Sequence, residues 1–225
     1  MRFVLVPGAG GAGWYWHRLV PELERRGHSA VAVDIREDDP DLGLPEYSDI
    51  TLAAIGDDRD DLVLVGQSMG GFTVPMVAAR VPVRMIVLLN AMVPLPGETP
   101  GAWWEATGQP EARLAADEAA GRGTDFDEVT HFLHDVPDDV AASGASEQRG
   151  PSDTPFGQPC EFERWPDVPI HVLAGADDRF FPVEFQRRVA RERLGLEADV
   201  MPGGHLVALS RPAELADRLA SYLDA

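Results

Sequence analysis

A chain of 225 residues with 38 acidic against 19 basic side chains, a formal net charge of -19, repels phosphate backbones and anionic lipid, so neither nucleic acid nor a membrane surface is an expected partner. The length suits one domain with a sizeable core, and the acidity reads as a device for solubility. A single cysteine, Cys160, excludes an internal disulfide and a cysteine-rich zinc site, and the opening MRFVLVPGAGG is too short an apolar stretch for a signal peptide or membrane span, so a cytoplasmic protein is expected.

In chain order, the first predicted strand is FVLV (residues 3–6), followed by the glycine loop VPGAGGAGW. Two readings compete there. Gly8, Gly10 and Gly13 spell G-x-G-x-x-G, and Asp34 follows about twenty residues later, as in a dinucleotide-binding loop. Alternatively, the loop walls an oxyanion pocket, its backbone N–H groups aimed at a reacting carbonyl. Next, Trp16, Leu19, Val20 and Leu23 share a helical face that Gly27 ends, and AVAV (30–33) reads as a second strand.

A third apolar run, LVLV (62–65), leads directly into GQSMGG (66–71) and a helix containing Phe72, Met76 and Val77. This is G-x-S-x-G in a strand-turn-helix setting. The sharp turn strains the serine backbone, and side chains at Gly66 or Gly70 would clash as the Ser68 hydroxyl is lifted into a cleft. The helix N-terminus then favours negative charge developing near Ser68.

MIVLL (85–89) is the fourth strand, and Asn90 follows it. From Pro94 to about Pro166 the chain is rich in Pro, Gly and acidic residues, with only short helical patches such as 127–134 and no strand-like run. This stretch is expected to form a cap over the carboxyl edge of the sheet; its Trp103, Trp104, Phe126, Phe132, Phe156 and Trp165 argue against a disordered linker. IHVLA (170–174) then leads into GADDRFFP, with Asp177 and Asp178, and ADVM (198–201) leads into PGGH, with His205. The last helix reads as capped by Ser210, with Pro212 early and Leu215, Leu219 and Tyr222 as its stripe. Strands alternating with helices, each run continuously apolar, give an α/β fold with a mostly parallel sheet flanked by helices.

A serine hydroxyl needs a base, and the base an orienting acid. His205 and the Asp177–Asp178 pair lie beyond strand ends on the edge that carries Ser68. Either aspartate fits. Among the other histidines, His17 and His28 read as ordinary packed or exposed residues and His171 as a core histidine, while His131 and His134, three apart, have no third convergent ligand and read as cap or pocket-lining residues rather than a metal site.

PGAGGAGWYWHRLVPELERRGH (7–28), GQSMGG, the acid loop and PGGH together resemble the α/β-hydrolases, in particular the single-cap branch that contains plant methyl esterases and hydroxynitrile lyases. The similarity spans nearly the whole chain, with the cap matched poorly. It implies Ser68 as nucleophile, Met69 and Ala9 N–H as oxyanion donors, and His205 as base. The family acid loop G-x-x-D-x-x-x-P falls on Gly175, Asp178 and Pro182, which selects Asp178. Two positions depart from the pattern: Pro7 replaces the histidine that opens the first loop, and Gln67 replaces a frequent histidine in the elbow.

The nucleotide reading leaves the serine, acid and histidine loops unexplained. A tyrosine-lysine dehydrogenase pair is excluded, because every basic residue is arginine. The expectation is a single domain over 1–225 with a cap at about 94–166, acting as a carboxylic ester hydrolase on a small-molecule ester, without cofactor or metal, as monomer or homodimer. Gly10, Trp103, Trp104, His131, Phe132, Phe180 and Leu206 are expected to line the substrate pocket. Hydroxynitrile lyase, cofactor-free oxygenase and non-catalytic ligand binder are the alternatives; the plant lyases of this branch use a lysine, which this chain lacks.

Overall fold

All six apolar runs become strands of one sheet: β1 (Arg2–Val6), β2 (Ser29–Ala32), β3 (Leu62–Gln67), β4 (Met85–Leu89), β5 (Ile170–Gly175) and β6 (Asp199–Met201). The structure, a computed structural model, describes residues 1–223. Among these residues the helices are α1 (Leu19–Arg25), α2 (Leu44–Ile55), α3 (Gly70–Ala78), α4 (Pro100–Thr107), α5 (Gln109–Ala119), α6 (Asp138–Gly144), α7 (Val183–Leu194), α8 (Val207–Ser210) and α9 (Pro212–Ser221). None is long and apolar enough to cross a membrane.

Every strand pairing is parallel, in the order β2-β1-β3-β4-β5-β6. A parallel sheet must be covered on both faces, and the two-residue alternation of each strand supplies both covers. Val4, Val6, Leu62 and Leu64 face a layer shared with α2, α3 and α7, while Phe3, Leu5, Val63 and Val65 face a layer shared with α1 and α9. Chain order reverses direction between β1 and β3, so the loops leaving their carboxyl ends part and open a crevice, the usual ligand position in open α/β sheets. The glycine loop and Ser68 lie there.

Three local expectations are corrected. Trp16 is not in the first helix but in a 3-10 turn before it (Gly13–Trp16), where it is fully buried. Ser210 does not cap α9. The chain after His205 forms α8, which uses Ser210 as its last residue; Arg211 then breaks the backbone and takes the cap position without a side-chain bond. The segment between β4 and β5 holds more helix than short patches. Thr99 Oγ1 accepts from Ala102 N at 3.1 Å with Pro100 in the first turn, and Gly108, left-handed at φ 64°, ends α4 and starts α5. The stretch at 127–134 instead makes a π-helical turn at Val129–Leu133.

Gly71 fixes how closely α3 can sit against the loop after β4, because a methyl group there would overlap the Met92 carbonyl oxygen. Gly71→Ala is expected to lower Tm by about 5 °C or more. Gly123→Ala, whose added methyl would meet nothing within 4 Å, is expected to stay within about 2 °C. Equal Tm values in a thermal melt would contradict the packing described.

Candidate active site

Between β3 and α3 the chain turns within two residues, and Ser68 takes φ 50°, a left-handed conformation that costs a non-glycine residue about 1–3 kcal/mol. Neighbouring backbone holds it. Ser68 N donates to Leu89 O at 3.3 Å, and its carbonyl accepts from Gly71 N at 3.1 Å and Met92 N at 2.9 Å. The flanking glycines have no spare room: a methyl at Gly66 would lie 2.6 Å from Val74 Cγ2, and one at Gly70 would lie 2.5 Å from the Pro7 carbonyl oxygen.

The histidine and acid loops meet beside this turn. His205 Nδ1 lies 2.8 Å from Asp178 Oδ2, both side chains buried. Asp178 Oδ1 accepts from the N–H groups of Phe180 (2.9 Å) and Phe181 (2.8 Å). Asp177 faces elsewhere, accepting from Gly203 N at 3.1 Å and so tying the acid loop to the histidine loop. A carboxylate on Nδ1 fixes the proton there and leaves Nε2 as the basic nitrogen. The imidazole is wedged between Phe132, stacked at 4.9 Å, and Phe181, edge-on at 5.1 Å. Ser68 and His205 line one cavity, although no hydrogen bond joins hydroxyl to imidazole; such bonds are often long in ligand-free sites and tighten with substrate.

Other side chains place His205, and the sequence reading did not assign them to the site. Asn90, fully buried and left-handed at φ 44°, donates to the carbonyls of Gly204 (3.0 Å) and His205 (3.1 Å) and accepts from Gly175 N at 2.7 Å. Gln67 Nε2 donates to the His205 carbonyl at 3.4 Å, so this departure from the family pattern links the elbow to the histidine loop. Asp135 Oδ2 accepts from Gly204 N at 2.7 Å. The signal available was an asparagine directly after a buried strand, a residue type that tolerates left-handed backbone.

The glycine loop packs on the elbow, where a methyl at Gly8 would lie 2.7 Å from Ser68 Cβ. Gly10 N donates to Glu37 Oε2 at 2.8 Å, and Gly13 N to Asp34 Oδ1 at 2.8 Å, with Arg149 Nη2 on the other Asp34 oxygen at 3.1 Å. The acid that the nucleotide reading reserves for a ribose thus serves the loop itself. Among the described residues the N–H groups of Ala9 and Met69 have no acceptor. Burial pushes the Glu37 carboxyl up to about 8, against the opposing pull of the Gly10 N–H and Arg149.

The cavity over Ser68 has a volume of about 660 Å³. Gly10, Phe132 and Leu206 line it as expected, together with Trp14, Tyr15, Phe126 and Leu209, which the pocket expectation omitted. Trp103, Trp104, His131 and Phe180 do not. Trp103 is fully buried against Phe181 and Phe185, with its indole N–H on the Val93 carbonyl at 3.2 Å. Trp104 packs on Phe180 and Phe181, and Phe180 backs the ring of Phe132 at 4.8 Å. His131 is bound to buried Asp117 at 3.1 Å, which Arg113 and Arg122 also hold at 2.7 and 2.8 Å, so it serves the interior of the insertion. His134 lies apart from that cluster, beside Gly204, and among the described residues no group of three or more His, Cys, Asp or Glu could hold a metal ion.

Comparison with known proteins adds to this geometry. The model described as "Alpha/beta hydrolase family" matches residues 3–218. The pyrethroid hydrolase of Sphingobium wenxiniae is 26% identical over 99% of this chain and 87% of its own length. The alpha-hydroxynitrile lyase of Arabidopsis thaliana is 23% identical over 98% of this chain and 96% of its own. Among solved structures, polyneuridine aldehyde esterase superposes with a TM-score of 0.80 at 21% identity, covering 99% of this chain and 98% of that one.

Removing the Asn90 side chain leaves the Gly175 N–H without its acceptor and the carbonyls of Gly204 and His205 without their Asn90 donor. Asn90→Ala is expected to destabilise the fold by about 2–4 kcal/mol in denaturant unfolding. A loss under about 0.5 kcal/mol would show that these loops are held by something else.

Proposed function

The chain belongs to the alpha/beta hydrolase family, and from that premise we propose that it is a serine hydrolase cleaving a small carboxylic ester through an acyl-enzyme. One observation carries the reading: the buried Asp178–His205 pair, 2.8 Å apart, opens on the same cavity as a serine held in strained backbone at the start of a helix. His205 Nε2 takes the proton from the Ser68 hydroxyl as its oxygen attacks the ester carbonyl. Asp178 keeps the imidazole in the required tautomer and stabilises its cationic form. The Ala9 and Met69 N–H groups hold the oxyanion, and the imidazolium then protonates the departing alcohol. Water, activated by the same imidazole, releases the acid and restores Ser68.

Trp14, Tyr15, Phe132, Leu206 and Leu209 give the cavity apolar walls, while Glu128, Glu147 and Arg149 add charged groups to its lining. Such a lining suits an ester with an apolar, ring-sized acyl or alcohol group. The Sphingobium relative, a pyrethroid hydrolase by name, supports a hydrolase reading. We read the insertion at about 94–166 as a cap within one domain spanning 1–225, and the protein as cytoplasmic, acting without cofactor as monomer or homodimer.

Against a panel of p-nitrophenyl and aryl esters, Ser68→Ala is expected to lower kcat by about 10⁴-fold or more, and Asp178→Asn by about 10³–10⁴-fold, with Tm little changed. Ester turnover surviving in Ser68→Ala would reject the nucleophile. Cyanide release from mandelonitrile by the wild type, without ester turnover, would replace the hydrolase by a lyase.

A further inference from the structure

Glu37 is a buried acid with no part in the mechanism above. It stands beyond β2, 2% exposed, and its Oε2 receives the Gly10 N–H at 2.8 Å. The loop it meets is rich in glycine. Gly10 and Gly11 take φ 96° and 66°, conformations open to glycine, and glycine backbone rotates with little resistance. Between Gly8 and Gly11 three hydrogen bonds restrain it: Gly11 N to Gly8 O at 3.0 Å, Ile35 N to Gly11 O at 2.8 Å, and the Gly10–Glu37 bond. Only the last holds the peptide that immediately follows Ala9. The contact is close, since a methyl at Gly11 would lie 2.8 Å from Glu37 Cγ.

We propose that Glu37 is a positioning residue for the oxyanion loop: by fixing the Ala9–Gly10 peptide from behind, it aims the Ala9 N–H at the reacting carbonyl oxygen. The proposal rests on the serine hydrolase reading. A neutral carboxyl oxygen still accepts from Gly10, whereas a carboxylate would put a second negative charge beside the developing oxyanion in a poorly screened interior. The surroundings favour the neutral form. Burial outweighs the Gly10 bond and the Arg149 charge, and the carboxyl is pushed up to about 8.

The charged groups around Glu37 are mostly engaged elsewhere. Arg149, from the insertion, is bound to Asp34 and to the Ile35 carbonyl. Arg36 pairs with Asp38 at the surface. Asp39 accepts from Asp41 N, and from α2 Glu46 accepts from Gly43 N. The Tyr47 phenol is pushed up by burial first and by Glu37 next, so it stays neutral across the useful range.

The sign follows from linkage. The folded carboxyl binds its proton more tightly than the unfolded one, so the stability it contributes is complete below the ordinary carboxylate value and is lost as pH rises through about 8. Activity should decline over the upper part of that range.

The test compares kcat from pH 5 to 10 for wild type, Glu37→Gln and Glu37→Leu, using the best ester of the panel. In the wild type kcat should fall several-fold as pH rises through about 8. Glu37→Gln keeps a neutral acceptor, so it should retain kcat near pH 6.5 within about twofold and lack that alkaline fall. Glu37→Leu should lose about tenfold or more in kcat at nearly constant KM. Should Glu37→Leu fail to fold, Glu37→Gln decides. Its Tm advantage over wild type should also grow from pH 5 to 9, although a purely structural acid would share that behaviour and only the kcat limb discriminates. Identical kcat–pH profiles for wild type and Glu37→Gln, or full kcat in Glu37→Leu, would overturn the proposal. Loss of activity in Ser68→Ala alongside either result leaves the hydrolase reading standing.

Discussion

At the carboxyl end of β3 the chain enters α3 between two neighbouring loops, so close that a methyl group at Gly70 would lie 2.5 Å from the Pro7 carbonyl oxygen and one at Gly71 would overlap that of Met92. Nothing larger than hydrogen fits. This contact sets the height of the Ser68 turn against the loops after β1 and β4, and the end of β4 and the loop that follows it reinforce the turn through the backbone bonds of Leu89 and Met92 to Ser68. The strain at φ 50° persists because its surroundings leave the serine no relaxed alternative.

The histidine reaches this turn indirectly. Its loop leaves β6 at the far side of the sheet, and two buried amides with two less buried carboxylates bring it back: Asn90 on the Gly204 and His205 carbonyls, Gln67 on the latter, Asp135 on Gly204 N and Asp177 on Gly203 N. Each bond contributes little net stability, but each buried partner left unpaired is costly, so the set enforces one loop geometry. In that geometry one imidazole nitrogen meets Asp178, and His205 lines the cavity that Ser68 also lines. Rigid placement of this kind is what acyl transfer requires from a protein.

The sheet was legible because burial on both faces demands unbroken apolar runs, and all six runs proved to be strands. The serine, acid and histidine loops could be located because each directly follows one of those runs, and the structure brings Asp178 to His205 as that placement suggested. The insertion was harder to read. Its helices depend on caps at Thr99 and Gly108 within a proline- and glycine-rich stretch, and its aromatics divide between core and cavity in a way that composition does not encode. Trp103 and His131 point inward because partners far along the chain, Phe185 and Asp117, complete their surroundings. Asn90, noted only as the residue after the fourth strand, and Glu37 were given no role because each acts on backbone atoms of distant loops, contacts that leave no periodic trace.

The central claim is that the Ser68 oxygen becomes covalently bonded to the acyl group during turnover. Intact-mass spectrometry on enzyme acid-quenched within milliseconds of mixing with a slowly deacylated aryl ester, followed by peptide mapping, tests it directly. The expected result is a mass increase equal to one acyl group, located on the peptide that contains GQSMGG and absent from Ser68→Ala. Burst release of the alcohol with no adduct, or an adduct on any other residue, would contradict the claim.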